Sequence, residues 1–330
     1  MLEKLNEVVI GQPDAIKAIE SAVITGTANL LPDEKPIASI LFLGPTGVGK
    51  TSLIKETARL LHDDPSKLLM INGGDYKLEH YVSRLLGAPP SFIGSDKPPL
   101  LTTKALKAIT SPGCDISLVA IDEFDKAHPS FQDVIIAMLD GRLTVATGNT
   151  KDSVDFSRSI ILLTANTGSV EILHNMKTGG LGFVSNSIES YTASFEKAFK
   201  KTVRPEVFNR LTEVVVFNTL SKESYIAILS SKLKIIAEGL TKRFGLKVEI
   251  HLDDDATNYL LEAGFSPEFG ARELLRILNR LIIKPLSLDY LLNKISYGSK
   301  LKISLIGSPP TYKLSQKSST SKKIKYEDTI

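Results

Sequence analysis

Gly44-Pro45-Thr46-Gly47-Val48-Gly49-Lys50-Thr51 has the spacing G-x-x-x-x-G-K-T, which makes a backbone cradle for nucleotide phosphates. Its glycines accept positive φ and let backbone N–H groups approach the phosphate oxygens, and the positive end of a following helix adds a favourable field. Lys50 is placed to reach the β- and γ-phosphates, and the Thr51 hydroxyl to hold Mg²⁺. Farther along, Asp122 and Glu123 directly follow the apolar run Leu118-Val119-Ala120-Ile121. One carboxylate at such a place orients the metal through its water shell, and its neighbour polarises the attacking water. We therefore expect ATP with Mg²⁺ on Thr51 and Asp122, and Glu123 as the group that activates water. Taken singly, a glycine-rich turn with a lysine, or an acidic pair that opens a helix, has a structural explanation. Their joint occurrence, each after its own apolar run, points to nucleoside triphosphate hydrolysis.

The elements that must carry these groups are legible as well. Apolar runs at Ser39 to Leu43, Leu68 to Ile71, Ile116 to Ile121 and Ile160 to Leu163 alternate with helical patterns. That alternation predicts an α/β fold, a P-loop core whose largely parallel sheet has helices on both faces. Ligands of such sheets sit at the carboxyl ends of the strands, and the phosphate loop, Asp122 with Glu123, and Asn166 all fall there. From about Ser221 the pattern turns helical, with Ile226, Ile228, Leu229, Leu233, Ile236 and Leu240 as an apolar face, and later Leu274, Leu275, Leu278 and Ile282. Lys247 to His251 and Leu301 to Ile306 are candidate strands of this second part. The expected division is a large nucleotide-binding domain over 1–218, a small, mostly helical lid domain over 219–307, and a Ser/Lys-rich, poorly ordered tail over 308–330.

Composition narrows the class. The 330 residues suffice for about two domains, and 42% apolar with 23% charged residues is ordinary globular usage. A net charge of +3 with dispersed basic residues gives no electrostatic footprint for nucleic acid. The one cysteine, Cys114, cannot form an intramolecular disulfide, and neither a secretory signal nor a membrane-spanning run is visible. A cytoplasmic protein without membrane association is expected.

Six segments occur together in one order: Val9-Ile10-Gly11-Gln12, Gly44 to Thr51, Ile121 to Pro129, Asp140-Gly141-Arg142-Leu143-Thr144, Arg204 to Leu211 and Gly270-Ala271-Arg272. In this order and near this spacing the chain resembles the Clp-type AAA+ unfoldases, specifically their second ATPase module, from about Leu5 to Ile306. The resemblance implies that Ile10 and Gly11 line the adenine pocket, that Asn166 is the first sensor and helps place the lytic water, and that Arg272 is the second sensor, reaching onto the nucleotide from the lid domain. It also implies that Arg210 is an arginine finger supplied to a neighbouring subunit, where a permanently charged guanidinium stabilises transition-state charge. Each active site then needs two subunits, so a self-assembled ring is expected, and the family's rings are hexamers.

Two loops bear on partners. Gly87 to Ser95 occupies the place of the family's pore loop, where an aromatic ring grips extended polypeptide; Phe92, followed by Ile93, fills that place, although Ser91 and Ser95 depart from the usual pattern. The alternative is a proline-rich loop whose Phe92 packs on its own domain. Leu181-Gly182-Phe183 resembles the tripeptide by which some family members dock on a ClpP-type peptidase, and an ordinary glycine-rich surface loop stays open beside it. The expected activity is ATP-driven unfolding of protein substrates threaded through a central pore, with a peptidase or adaptor as a further partner. An accessory ATPase remodelling one secretion or mobile-element assembly is the alternative, and a DNA-acting AAA+ protein is a third.

Overall fold

The computed structural model describes residues 2–30, 32, 34–87, 98–147, 150–169, 172, 188–244, 247–264, 270–292, 294–295 and 300–317. Phe92 and Ile93 lie outside the described residues, as do Leu181, Gly182 and Phe183. The chain divides into two compact units, Met1–Leu220 and Ser221–Ile330.

In the first unit, the strands β1 (Ala38–Leu43), β2 (Leu69–Asn72), β3 (Ser117–Asp122), β6 (Ser159–Ala165) and β7 (Glu213–Val216) form a sheet in the order β2-β3-β6-β1-β7, with every pairing parallel. Between β3 and β6 in sequence, β4 (Arg142–Thr147) and β5 (Thr150–Asp155) pair as an antiparallel hairpin. All residues of β1 and β6 are buried, as strands covered on both faces require, and this is why they read as largely apolar runs with no alternation. Helices Pro13–Ala28 and Lys50–His62 are among those that cover the sheet. The register places Leu43 beside Ala165, Ile121 beside Leu163 and Asn72 beside Asp122. The carboxyl ends of β3, β6 and β1 are therefore adjacent, and the three polar segments that follow them emerge side by side.

The second unit has β8 (Lys247–Leu252) parallel to β9 (Lys300–Ile306) and β10 (Thr311–Lys317) antiparallel to β9. Helices Lys222–Phe244, Asp254–Gly264, Arg272–Leu278 and Lys284–Leu291 accompany them. Its core gathers Leu229, Val248, Leu260, Leu274, Leu278, Ile282, Leu301, Ile303 and Leu305. Ile226 and Leu275, counted above on the apolar stripes, are each 43% exposed instead. Leu275 stands one residue, roughly 100° of helix rotation, from the buried Leu274, which turns it toward the rim.

The structure corrects one expectation here. A poorly ordered tail was expected from residue 308, yet Thr311–Lys317 is a strand in register with β9 along all seven of its residues. Tyr312 and Leu314 pack against the second unit's core while Thr311, Lys313 and Ser315 face outward, a period of two that is inconspicuous among Ser and Lys.

Candidate active site

Gly44 leaves β1 with φ +137°, and a Cβ there would meet the Phe217 carbonyl oxygen at 2.9 Å, so the first residue of the cradle has to be glycine. Gly47 and Gly49 also take positive φ, and Gly49 stands immediately before helix Lys50–His62. The Lys50 side chain folds back over this loop. Its ammonium donates to the carbonyl oxygens of Gly44 at 2.6 Å and Pro45 at 2.7 Å, and to Asn166 Oδ1 at 2.6 Å. At 7% exposure the lysine is a buried cation surrounded by acceptors, the local electrostatics that a triphosphate requires.

One helical residue later, the Thr51 hydroxyl lies 3.1 Å from Asp122 Oδ2. Asp122 also accepts from Thr164 Oγ1 at 2.5 Å, and the same Thr164 oxygen accepts the Glu123 N–H at 2.9 Å. Glu123 follows in the left-handed region, φ 54° and ψ 44°, which turns the chain sharply off β3, and its Oε2 lies 2.8 Å from Lys126 Nζ. Across the strand ends, a Cβ on Gly73 would sit 2.5 Å from the Glu123 carbonyl oxygen, so the segment after β2 passes directly against this turn. The Thr51 hydroxyl with the Asp122 carboxylate is a hard-oxygen donor set that fits Mg²⁺, an ion that takes only one or two carboxylates and fills its octahedron with phosphate and water.

The structure thus brings together Lys50, Thr51, Asp122, Glu123 and Asn166. Ile10 is half-buried and Gly11 takes φ 79°, at the turn that leads into helix Pro13–Ala28. Arg272 opens helix Arg272–Leu278 in the second unit.

Two contributors escaped the sequence analysis as individual residues. Thr164 is a polar side chain inside an otherwise apolar strand, which is the signal that could have found it. Gln12 is 2% exposed; its carboxamide accepts the Asn218 N–H at 2.9 Å and donates to the Asn218 carbonyl at 3.0 Å, with a longer contact to the Val48 carbonyl at 3.5 Å. It ties the segment carrying Ile10 and Gly11 to the phosphate loop and to the last turn of the first unit. Gln12→Ala should strand both Asn218 backbone groups and lower unfolding stability by about 2 kcal/mol, read as a shifted urea midpoint at constant m.

Arg210 lies away from this cluster. Its carbonyl accepts from Ser39 Oγ at 2.8 Å, near the amino end of β1, whereas the phosphate loop leaves the carboxyl end at Leu43, about 13 Å farther along the strand. The guanidinium donates to Asp140 Oδ1 at 2.6 Å and to the Glu206 carbonyl at 3.0 Å, and the Asp140 hydrogen bond holds its pKa above the usual arginine value. Arg204 pairs with Asp133 in the same way, one helix length earlier. Among the described residues, no helix is long and apolar enough to cross a membrane.

The chain matches the AAA domain (Cdc48 subfamily) over residues 35–214 and the C-terminal, D2-small domain of ClpB protein over residues 220–303. It is 36% identical over 312 residues to a chaperone protein ClpB of Meiothermus ruber, covering 93% of this chain and 34% of that protein. The corresponding protein of Rickettsia bellii is 38% identical over 306 residues, covering 92% and 33%. A closed-state cryo-electron microscopy reconstruction of Hsp104 with ATPγS and FITC casein superposes with a TM-score of 0.79 at 30% identity, over 95% of this chain and 51% of that one. The chain therefore spans about a third of the length of the curated relatives it matches.

Proposed function

On the premise that the chain belongs to the AAA ATPases of the Cdc48 subfamily, with a ClpB-type small domain following the ATPase core in sequence, we propose that it is an ATP-driven, ring-forming protein unfoldase. The observation that carries the ring is the place of Arg210. It is partly exposed, permanently charged, and anchored toward the amino end of β1 while its own phosphate loop leaves the other end. An arginine so placed suits the nucleotide of a neighbouring copy better than its own. One head-to-tail contact repeated makes a ring when its rotation closes, and a closed hexamer is the ring we propose.

Within each site, the backbone N–H groups of Thr46 to Lys50 and the Lys50 ammonium hold the phosphates, and Ile10 with Gly11 receives the adenine. Thr51 and Asp122 would hold Mg²⁺, which when bound neutralises charge on the β- and γ-phosphate oxygens. Glu123 accepts the proton of the attacking water, Asn166 orients that water, and Arg210 of the neighbouring copy stabilises the charge that builds on the transferred phosphoryl group. Arg272 is proposed to report the nucleotide to the small domain.

For the substrate, we propose extended polypeptide gripped by Phe92 and Ile93 in the ring's central pore, since an aromatic face supplies apolar contact that tolerates any sequence. That the matched relatives are chaperone proteins ClpB, and that the Hsp104 structure was obtained with casein, supports a chaperone that disaggregates or unfolds over a module that feeds a peptidase through Leu181, Gly182 and Phe183. The test is ATP-dependent loss of fluorescence from a stable fluorescent protein bearing an unstructured tail, comparing the chain with Phe92→Ala at matched ATPase rates. Unfolding by the parent chain and not by the variant is expected. Robust hydrolysis with no unfolding by either would replace this function with remodelling of one dedicated assembly.

A further inference from the structure

The turn after β6 is gripped by a carboxylate that the chemistry above leaves unused. Asp125 Oδ2 accepts both the Asn166 N–H, at 3.2 Å, and the Thr167 hydroxyl, at 2.9 Å. Held there, Asn166 turns its side-chain oxygen to the Lys50 ammonium at 2.6 Å, and Ser169 Oγ, donating to the Asn166 carbonyl, stands 3.3 Å from the Gly44 carbonyl. Asp125 itself lies in the 3₁₀ turn Phe124–Lys126, which begins directly after Glu123. The group that activates water and the group that fixes Asn166 thus share one turn, two residues apart. Asp125 Oδ1, moreover, is buried with no hydrogen-bond partner among the described residues. A carboxylate kept only as a structural anchor would be expected to satisfy both oxygens, because an unpaired buried acceptor is destabilising.

We propose that Asp125 is a positioning residue for hydrolysis, which acts through Asn166 by fixing the turn that presents its carboxamide between Lys50 and the bound phosphate. This rests on the assignment of the pocket to ATP hydrolysis. Because Glu123 and Asp125 share one hydrogen-bonded turn, movement of the water-activating carboxylate and placement of the sensor are mechanically linked. Asp125→Ala frees Asn166 to drift by a fraction of an ångström to an ångström, enough to misplace the lytic water while leaving the phosphate loop intact.

The test uses the full chain, Asp125→Ala, Asn166→Ala and the double variant, measuring steady-state phosphate release and equilibrium binding of a fluorescent ATP analogue. Expected for Asp125→Ala is a fall in kcat of roughly 10²-fold with KM and analogue affinity nearly unchanged. The double variant should be no slower than Asn166→Ala alone, since two residues acting through one group do not add. Multiplicative losses in the double variant, parent-like kcat in Asp125→Ala, or loss of analogue binding in step with kcat would each overturn the proposal. Should Asp125→Ala fail to fold, Thr167→Val removes one of the two donors to Oδ2 and decides the matter: a kcat loss that vanishes in the Asn166→Ala background supports it, and parent-like kcat overturns it. If the parent chain binds the analogue and releases no phosphate, the hydrolysis assignment and this inference fall together. If the parent turns over and Asp125→Ala matches it, only this inference falls.

Discussion

Glu123→Gln is expected to lower steady-state ATP turnover by about 10²- to 10⁴-fold, the contribution of a positioned general base, while ATP binding persists. The substitution is nearly isosteric and spares the phosphate loop, the Thr51 and Asp122 pair, and the Thr164 hydroxyl that receives the Glu123 backbone N–H. What it removes is the negative oxygen proposed to accept the water proton, together with the ion-pair partner of Lys126. That pair is half exposed at the lysine end, so its loss carries little stability. Phosphate release measured beside equilibrium nucleotide binding separates the two effects. Turnover within twofold of the parent would remove Glu123 from its role.

The second large effect concerns Arg210. Arg210→Ala should lower turnover by about 10³- to 10⁵-fold if the guanidinium acts as a finger, without changing nucleotide affinity in the dissociated protomer. The ion pair with Asp140 and the hydrogen bond to the Glu206 carbonyl lie on the surface, so folding should survive. The sharper experiment mixes Arg210→Ala with Glu123→Gln. Each should be nearly inactive alone, yet in random mixed rings about one site in four would join an intact Glu123 to a neighbour's intact Arg210, as head-to-tail contacts allow. Recovery of activity on mixing establishes action in trans. A mixture that stays as inactive as its components would show that Arg210 works within its own chain or not at all.

The sequence reveals those parts of the site that are contiguous and follow an apolar run. Gly44 to Thr51 is legible because the glycines, lysine and threonine must be neighbours to wrap one phosphate chain, and Asp122 and Asn166 because β3 and β6 are buried on both faces and end abruptly in polar residues. Where a contact closes a long loop, a residue can be noticed in its own segment, as Gln12 and Arg210 were, while its pairing leaves no local trace. Gln12 and Asn218 are 206 positions apart, and Arg210 and Asp140 are 70 apart. Thr164 and Asp125 sit within segments already noticed, yet their partners are set by strand register. β10 was missed for a different reason: over Thr311 to Ser315 its inward residues are Tyr312 and Leu314, too few to stand out among Thr311, Lys313 and Ser315.

The sheet order has a consequence for how the chain comes into being on the ribosome. β1 is wholly buried, yet both strands that flank it, β6 and β7, are encoded far downstream, with β7 ending at Val216. Between the emergence of Leu43 and that of Ala165 at the end of β6, synthesis at ordinary rates takes roughly 6 to 25 s, during which a wholly buried, largely apolar strand has neither neighbour. Distant parallel pairings are slow to form for the same entropic reason. The second unit completes its own sheet from β8 to β10 within about 70 residues. A nascent chain arrested before β6 should therefore need a holding chaperone at Ile40 to Leu43, whereas a fusion that supplies β6 or β7 early would shorten the interval in which the strand can find the wrong partner.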